Sequence, residues 1–250
     1  MSRDDSSDKL LSQPVAERAN DWSGIIWRAA ETTRLGTVER VCETLEGIYN
    51  CQRLGNPERA IDDLIYIIVS NRTSPTITQR VYDGLQKRYA SWDAILNEPI
   101  IELQTILAPA GLSIKKSSQI VGALQKIKED FGRCDLSLLE GKPEAEMHSY
   151  LTSLPGVSDK VAKCVMMYTL GVQVLPVDSH VYRVSQRLGW TSKRQANQSH
   201  EELEALVSPQ YRYAYHVDCI VHGRTICRPK HPRCSECCIN EDCQYYRSFR

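Results

Sequence analysis

Apolar positions along the chain recur mostly at helical spacing, in segments bounded by residues that start or stop helices. "GNPERAIDDLIYIIVS" offers Asn56 as N-cap and Pro57 as first helical residue, ahead of a strongly apolar run. "SPTITQRVYDGLQKRY" repeats the device with Ser74 and Pro75. "IKKSSQIVGALQKIKEDFG" carries Ile120, Leu124 and Ile127 on one face and stops at Gly132. In "SDKVAKCVMMYTLG", Ser158 is the expected cap, Val161, Val165 and Tyr168 form a stripe, and Gly171 is the stop. "SPQYRYAYHVDCIVHGR" predicts one more helix, leading into a cysteine-rich tail. No series of alternating strands is present, and "GVQVLPV" is too short to found a sheet. Short turns with Gly, Pro or Ser link the segments, so the predicted fold class is all-α.

Composition changes that picture little. A chain of 250 residues, 42% hydrophobic and 25% charged, suits a soluble globular protein of one domain or two small ones. No apolar run approaches the roughly 18 residues of a membrane span. The opening "MSRDDSSDKLLSQP" has early acids and no apolar stretch, so no signal peptide is expected. Residues 1–23 are polar and aperiodic, which predicts a disordered tail. Net charge is zero, but residues 1–66 hold 8 Lys/Arg against 12 Asp/Glu while the remainder holds 23 against 19. A local basic surface is compatible with that asymmetry.

The cysteines alter the reading. Ten are present, and five fall between Cys227 and Cys243, which points to metal rather than disulfides. Cys227, Cys234, Cys237 and Cys243 stand at C-x6-C-x2-C-x5-C spacing. Structural zinc normally takes two C-x2-C pairs, and only one exists here, so four thiolates suit an iron–sulfur cluster better. Zinc and scattered free thiols are the alternatives, and spacing alone does not rule out Cys238 in place of Cys237. Cys219, on the preceding helix, is expected as a buried thiol. The loop "RPKHPR" between the first two cysteines holds Arg228, Lys230, His231 and Arg233. Pinned at both ends, it would present Arg228, Lys230 and Arg233 as a fixed array for a phosphate backbone.

Upstream, "LTSLPGVSDKVAKC" reads as helix, Pro155-Gly156 turn, helix. A turn of this kind exposes backbone N–H groups around Gly156, Val157 and Ser158 that can hold a DNA phosphate without reading sequence. Lys160 then falls on a helix's first turn, where a cation is disfavoured. Asp178 follows 18 residues later in "LPVDSHVYRVSQRLG". Taken singly, Lys160 reads as a solvent-exposed lysine and Asp178 as an N-cap.

Together, LPGVSDK, the 18-residue interval, VDSHVYRV, HGR and the cysteine tail resemble endonuclease III, the iron–sulfur branch of the helix–hairpin–helix DNA glycosylases, over roughly residues 55–245. The resemblance implies Lys160 as amine nucleophile, Asp178 as essential carboxylate and a [4Fe–4S] cluster on the four cysteines. It also implies an extruded nucleotide, with Leu112 in "AGLSIKK" as wedge and His180 as a lesion-side contact. In "IVSNRTSP", Arg72 stands where the family has a glutamine plug and Pro75 where an acid is usual. That departure leaves the lesion and the opposite base open.

The implied architecture is two helical domains with DNA between them. Residues 54–172 would form a six-helix barrel, and 24–53 with 173–250 the cluster domain. The implied function is a bifunctional DNA glycosylase and abasic-site lyase, acting as a monomer on duplex DNA with damaged pyrimidines. Uracil or thymine in mismatches is a variant of that reading. A non-catalytic iron–sulfur protein that binds DNA or senses redox state is the alternative of another class. A bacterial cytoplasmic, nucleoid-associated setting is the default, with nuclear or organellar settings beside it.

Overall fold

The computed structural model describes residues 36–51 and 54–249. The expected tail over 1–23, and residues 24–35 of the expected cluster domain, lie outside the described residues. All regular structure among the described residues is helical. A first helix covers 36–49 (α1), followed by α2 (Ala60–Ser70), α3 (Pro75–Arg88), α4 (Ile100–Leu107), α5 (Ser113–Phe131), α6 (Glu144–Ser153) and α7 (Asp159–Thr169). The later helices are α8 (Ser179–Leu188), α9 (His200–Leu206), α10 (Pro209–Thr225) and the short α11 (Gln244–Arg247). None is long and apolar enough to cross a membrane.

Most predicted helices form where the periodicity puts them. The α5 stripe of Ile120, Leu124 and Ile127 is buried, and Gly132 ends the helix at φ +76°. Ser158 caps α7, its hydroxyl accepting from Val161 N at 3.4 Å. The start of α2 differs from expectation. It begins at Ala60 with Arg59 at the cap, three residues late, because the Asn56 side chain donates to Asp63 Oδ1 at 2.6 Å instead of capping. Helix α2 is apolar nearly all round and is buried from Ala60 to Val69 except at Asp62, as expected of a central helix.

Two clusters of buried side chains organise the chain. One runs without interruption from Ala60 to Val174, with α2 packed on α7 and α4 on α5. The other joins Val38, Val41, Cys42 and Leu45 of α1 to side chains from Leu175 to Ile239, with α8 packed on α10. The chain passes from one cluster to the other just ahead of Asp178, so a groove bordered by both has Lys160 on one bank and Asp178 on the other.

Candidate active site and cysteine cluster

A cleft of about 630 Å³ opens where the end of α2, the start of α7, the start of α8 and α10 meet. Lys160, Asp178, Arg72, Ser158 and His180 all line it. Space of that size accepts one extruded nucleotide.

Asp178 is the N-cap of α8, and its Oδ1 accepts from the N–H groups of His180 and Val181, both at 2.8 Å. The cap reading and the catalytic reading are therefore compatible, since the cap takes only one carboxylate oxygen. Burial alone would raise the Asp178 pKa. His216, the Lys160 ammonium and the Val181 N–H together hold it below the usual range. His216 is itself pushed down to about 4 by burial and donates from Nδ1 to Pro176 O at 2.8 Å.

For Lys160, desolvation pushes the pKa down, but contact with the Cys164 thiol and the charges of Asp178 and Asp63 outweigh it. The net direction is up, so the free protein holds an ammonium here. Cys164 is buried and pushed up to about 11, hence a neutral thiol at pH 7. His180 is lowered by burial, against the pull of Asp178.

Sequence reasoning missed Asp63. It is fully buried, and its Oδ2 has no hydrogen-bond partner. Desolvation pushes its pKa up to about 7, against the opposing effects of Asn56 and Lys160. The one available signal was an acid on the apolar face of "AIDDLIYIIVS".

Gly156 turns the hairpin at φ +77°, where a Cβ would come within 2.5 Å of Gln119 Cγ, and Gln119 Nε2 donates to Gly156 O at 2.8 Å. Val157 differs from its neighbours. Its side chain is buried and its N–H donates to Leu154 O at 3.1 Å, so that donor is spent within the turn. Leu112 lies outside the cleft, half exposed on an apolar shelf with Ile114 at the start of α5.

All ten cysteines are free thiols. Cys227, Cys234, Cys237 and Cys243 line one small space of about 20 Å³, with Arg187, Tyr245 and Tyr246 in its wall, and Cys238 is not part of that lining. Arg187 Nη1 donates to Cys227 Sγ at 3.1 Å and to Arg228 O at 2.8 Å. Arg183 donates to Cys227 O at 2.8 Å and to Gly223 O at 2.9 Å. Gly223 leaves room for this, since a Cβ there would lie 2.8 Å from Arg183 Nη2. Among the described residues, no three His, Cys, Asp or Glu side chains converge as ligands of a single ion. The four thiols ring a space rather than a point. Cys219 is buried apart from them. Arg228, Lys230 and Arg233 are exposed on the loop, with Arg233 3.6 Å from Glu236.

Comparison with known proteins places these features in context. Residues 65–209 match the family described as HhH-GPD superfamily base excision DNA repair protein. The endonuclease III of Thermotoga maritima is 29% identical over 185 residues, covering 74% of this chain and 82% of that one. A candidate DNA glycosylase of Arabidopsis thaliana is 27% identical over 168 residues, and the match spans 67% of this chain but 57% of the plant protein. An endonuclease III in a non-covalent DNA complex superposes with a TM-score of 0.75 at 21% identity, over 86% of this chain and 97% of that one. A thermostable thymine-DNA glycosylase superposes with a TM-score of 0.73 at 23% identity, over 85% and 98%. At such identities the two superpositions speak for the fold.

Proposed function

Because this chain belongs to the HhH-GPD superfamily of base excision DNA repair proteins, we propose that it is a DNA glycosylase with abasic-site lyase activity, acting on damaged pyrimidines in duplex DNA. The observation that carries the reading is the meeting of Lys160 and an ionised Asp178 in one nucleotide-sized cleft. In this reading the damaged nucleotide leaves the stack and enters the cleft. As the bond from sugar C1′ to the base breaks, positive charge builds on the sugar, and the Asp178 carboxylate stabilises it. Lys160 starts as an ammonium, and the departing base needs a proton. Transfer of that proton to the base leaves a neutral amine, which bonds to C1′ and opens the sugar to a Schiff base. Loss of the C2′ proton then expels the 3′ phosphate by β-elimination.

The two buried clusters are taken as two domains with DNA across the groove. The hairpin at Gly156 and Ser158 and the loop bearing Arg228, Lys230 and Arg233 would hold the backbone. The donor set of four free thiols around one space fits a [4Fe–4S] cluster, each cysteine holding one iron. When bound, the cluster supplies rigidity to that loop. A second reading, thymine or uracil opposite guanine, is favoured by Arg72, whose guanidinium can donate to two acceptors on a guanine edge.

Borohydride trapping tests both readings, on duplexes carrying an abasic site, thymine glycol, 5-hydroxycytosine, uracil or a G·T mismatch. Wild type is expected to form a covalent adduct with the abasic site and with at least one lesion, and Lys160→Gln to form none. Alkali-labile sites without an adduct would make the protein a monofunctional glycosylase. Adducts confined to mispaired uracil and thymine would favour the second reading.

A further inference from the structure

Lys116, on the first turn of α5, is only 2% exposed. Its ammonium donates to Val69 O at 2.8 Å, Thr73 Oγ1 at 2.7 Å and Ala110 O at 2.9 Å, which uses all three donors. Thr73 Oγ1 in turn donates to Ala110 O at 2.8 Å and closes the network. The contacts join two loops distant in sequence, the one leaving α2 and the one entering α5. Each loop presents one non-glycine residue in the left-handed region, Arg72 at φ +55° and Leu112 at φ +54°. Such a conformation is strained for a residue with a Cβ and persists where surrounding structure enforces it.

A merely space-filling role does not account for this arrangement. Burying an ammonium is costly unless every donor is satisfied, and a methionine would fill the same volume without that cost. The cation also complements the C-terminal end of α2, which has no basic residue of its own in its last turn. Burial lowers the Lys116 pKa without any carboxylate to oppose it. On the outer side of the two loops, Arg72 faces the cleft, while Leu112, 50% exposed, stands beside Ile114, 73% exposed. A polar staple thus lies directly beneath two exposed side chains that are held in strained conformations.

We propose that Lys116 is a positioning residue that fastens Arg72 and Leu112 into one rigid probe, so that the two enter the base stack together. The inference rests on the glycosylase reading above. A nucleotide held outside the duplex leaves a gap and an unpaired partner base. Two side chains on independent loops would each lose conformational freedom on entering, whereas a stapled pair has already lost it during folding.

The test uses a readout that needs no Lys160 chemistry. A duplex with 2-aminopurine opposite a tetrahydrofuran abasic analogue brightens when the probe unstacks the base. Lys116→Met, Lys116→Arg and Thr73→Val are compared with wild type at saturating protein, with binding followed by anisotropy. Lys116→Met is expected to bind within about threefold of wild type while its fluorescence rise falls about tenfold, a change of about 1.4 kcal/mol in the insertion equilibrium. Arginine should restore most of the rise, and Thr73→Val should give an intermediate one. Trapping on a single-stranded abasic oligonucleotide, where no stack has to open, should be unchanged in all three.

An undiminished rise in Lys116→Met would overturn the proposal. So would an equal loss of affinity, fluorescence and single-strand trapping, which would mark Lys116 as a general support of the fold. If Lys116→Met is unfolded by circular dichroism, Thr73→Val decides by the same split. Wild type that fails to bind the abasic duplex would sink the glycosylase reading itself, a different result from a variant that binds without brightening.

Discussion

With Oδ1 of Asp178 taken by two backbone N–H groups at 2.8 Å, fold and chemistry at this residue can be separated by the choice of substitute. Asparagine keeps a capping oxygen and removes the charge, whereas alanine removes both. Asp178→Asn should therefore melt close to wild type, and Asp178→Ala should lose about 1 kcal/mol of stability. Both should lose about a hundredfold or more in trapping rate. Thermal melts beside trapping time courses would check this, and an Asp178→Asn protein that traps normally would count against the carboxylate's role. Asp63 permits a pH prediction. Its native pKa of about 7 lies above the ordinary value of 3.8, so the folded state binds that proton more tightly than the unfolded chain. The contribution is stabilising at low pH and is lost as pH rises through 7, at about 1.4 kcal/mol per unit of difference. Asp63→Asn should melt several degrees above wild type at pH 8, with the gap closing towards pH 5. Lys160 and Asp178 were legible in the sequence because their interval and flanking motifs are distinctive. Asp63 and Lys116 were less so, since an acid or lysine within a helix normally reads as solvated. Even so, Lys116 lies one turn ahead of Ile120 on the buried stripe of α5, so its phase held the information.

At the scale of elements, periodicity gave α2, α3, α5, α7 and α10 and misjudged where α2 begins, while α1, α4 and α9 were not read from it. Asn56 and Pro57 have the right chemistry to open α2, but Asn56 serves a tertiary partner, Asp63, and local preference yields to it. The hairpin's outline was legible from Pro155 and Gly156, while the use of the Val157 N–H within the turn depends on backbone geometry that spacing does not encode. The same holds for the cysteines. Spacing favoured Cys237 without ruling out Cys238, and in the fold Cys237 but not Cys238 lines the space shared with the other three. The loop between Cys227 and Cys234 carries a prediction of its own. Reversing charge at Arg228 or Lys230 should weaken binding to all duplexes alike and reduce the slope of log affinity against log salt by about 1 per residue. Titrations at several salt concentrations would show it, and unchanged slopes would mean the loop stays clear of the backbone.

For the whole molecule, the helical class was readable from the chain, and the groove was reached through family likeness. Which segments share a core came only from that likeness, because contacts between segments distant in the chain leave no local periodic trace. The proposed cluster has a bulk signature. Purified protein should be yellow-brown, with broad absorption near ~400 nm from iron–thiolate charge transfer. Removing iron should loosen Arg183 and Arg187 from the loop and lower affinity for every duplex. A colourless protein with stoichiometric zinc and full affinity would contradict this. The two buried clusters also set an order of assembly. The first draws its fully buried side chains from one continuous stretch, Ala60 to Val174, so that core can form before most of the second has been made. The second needs α1 and the tail together, with Arg40 paired to Asp242 across 202 positions. Domains that are contiguous in the chain can form as it leaves the ribosome. Here α1 waits for its partners between Leu175 and Asp242 to emerge, and only then does the bank bearing Asp178 close.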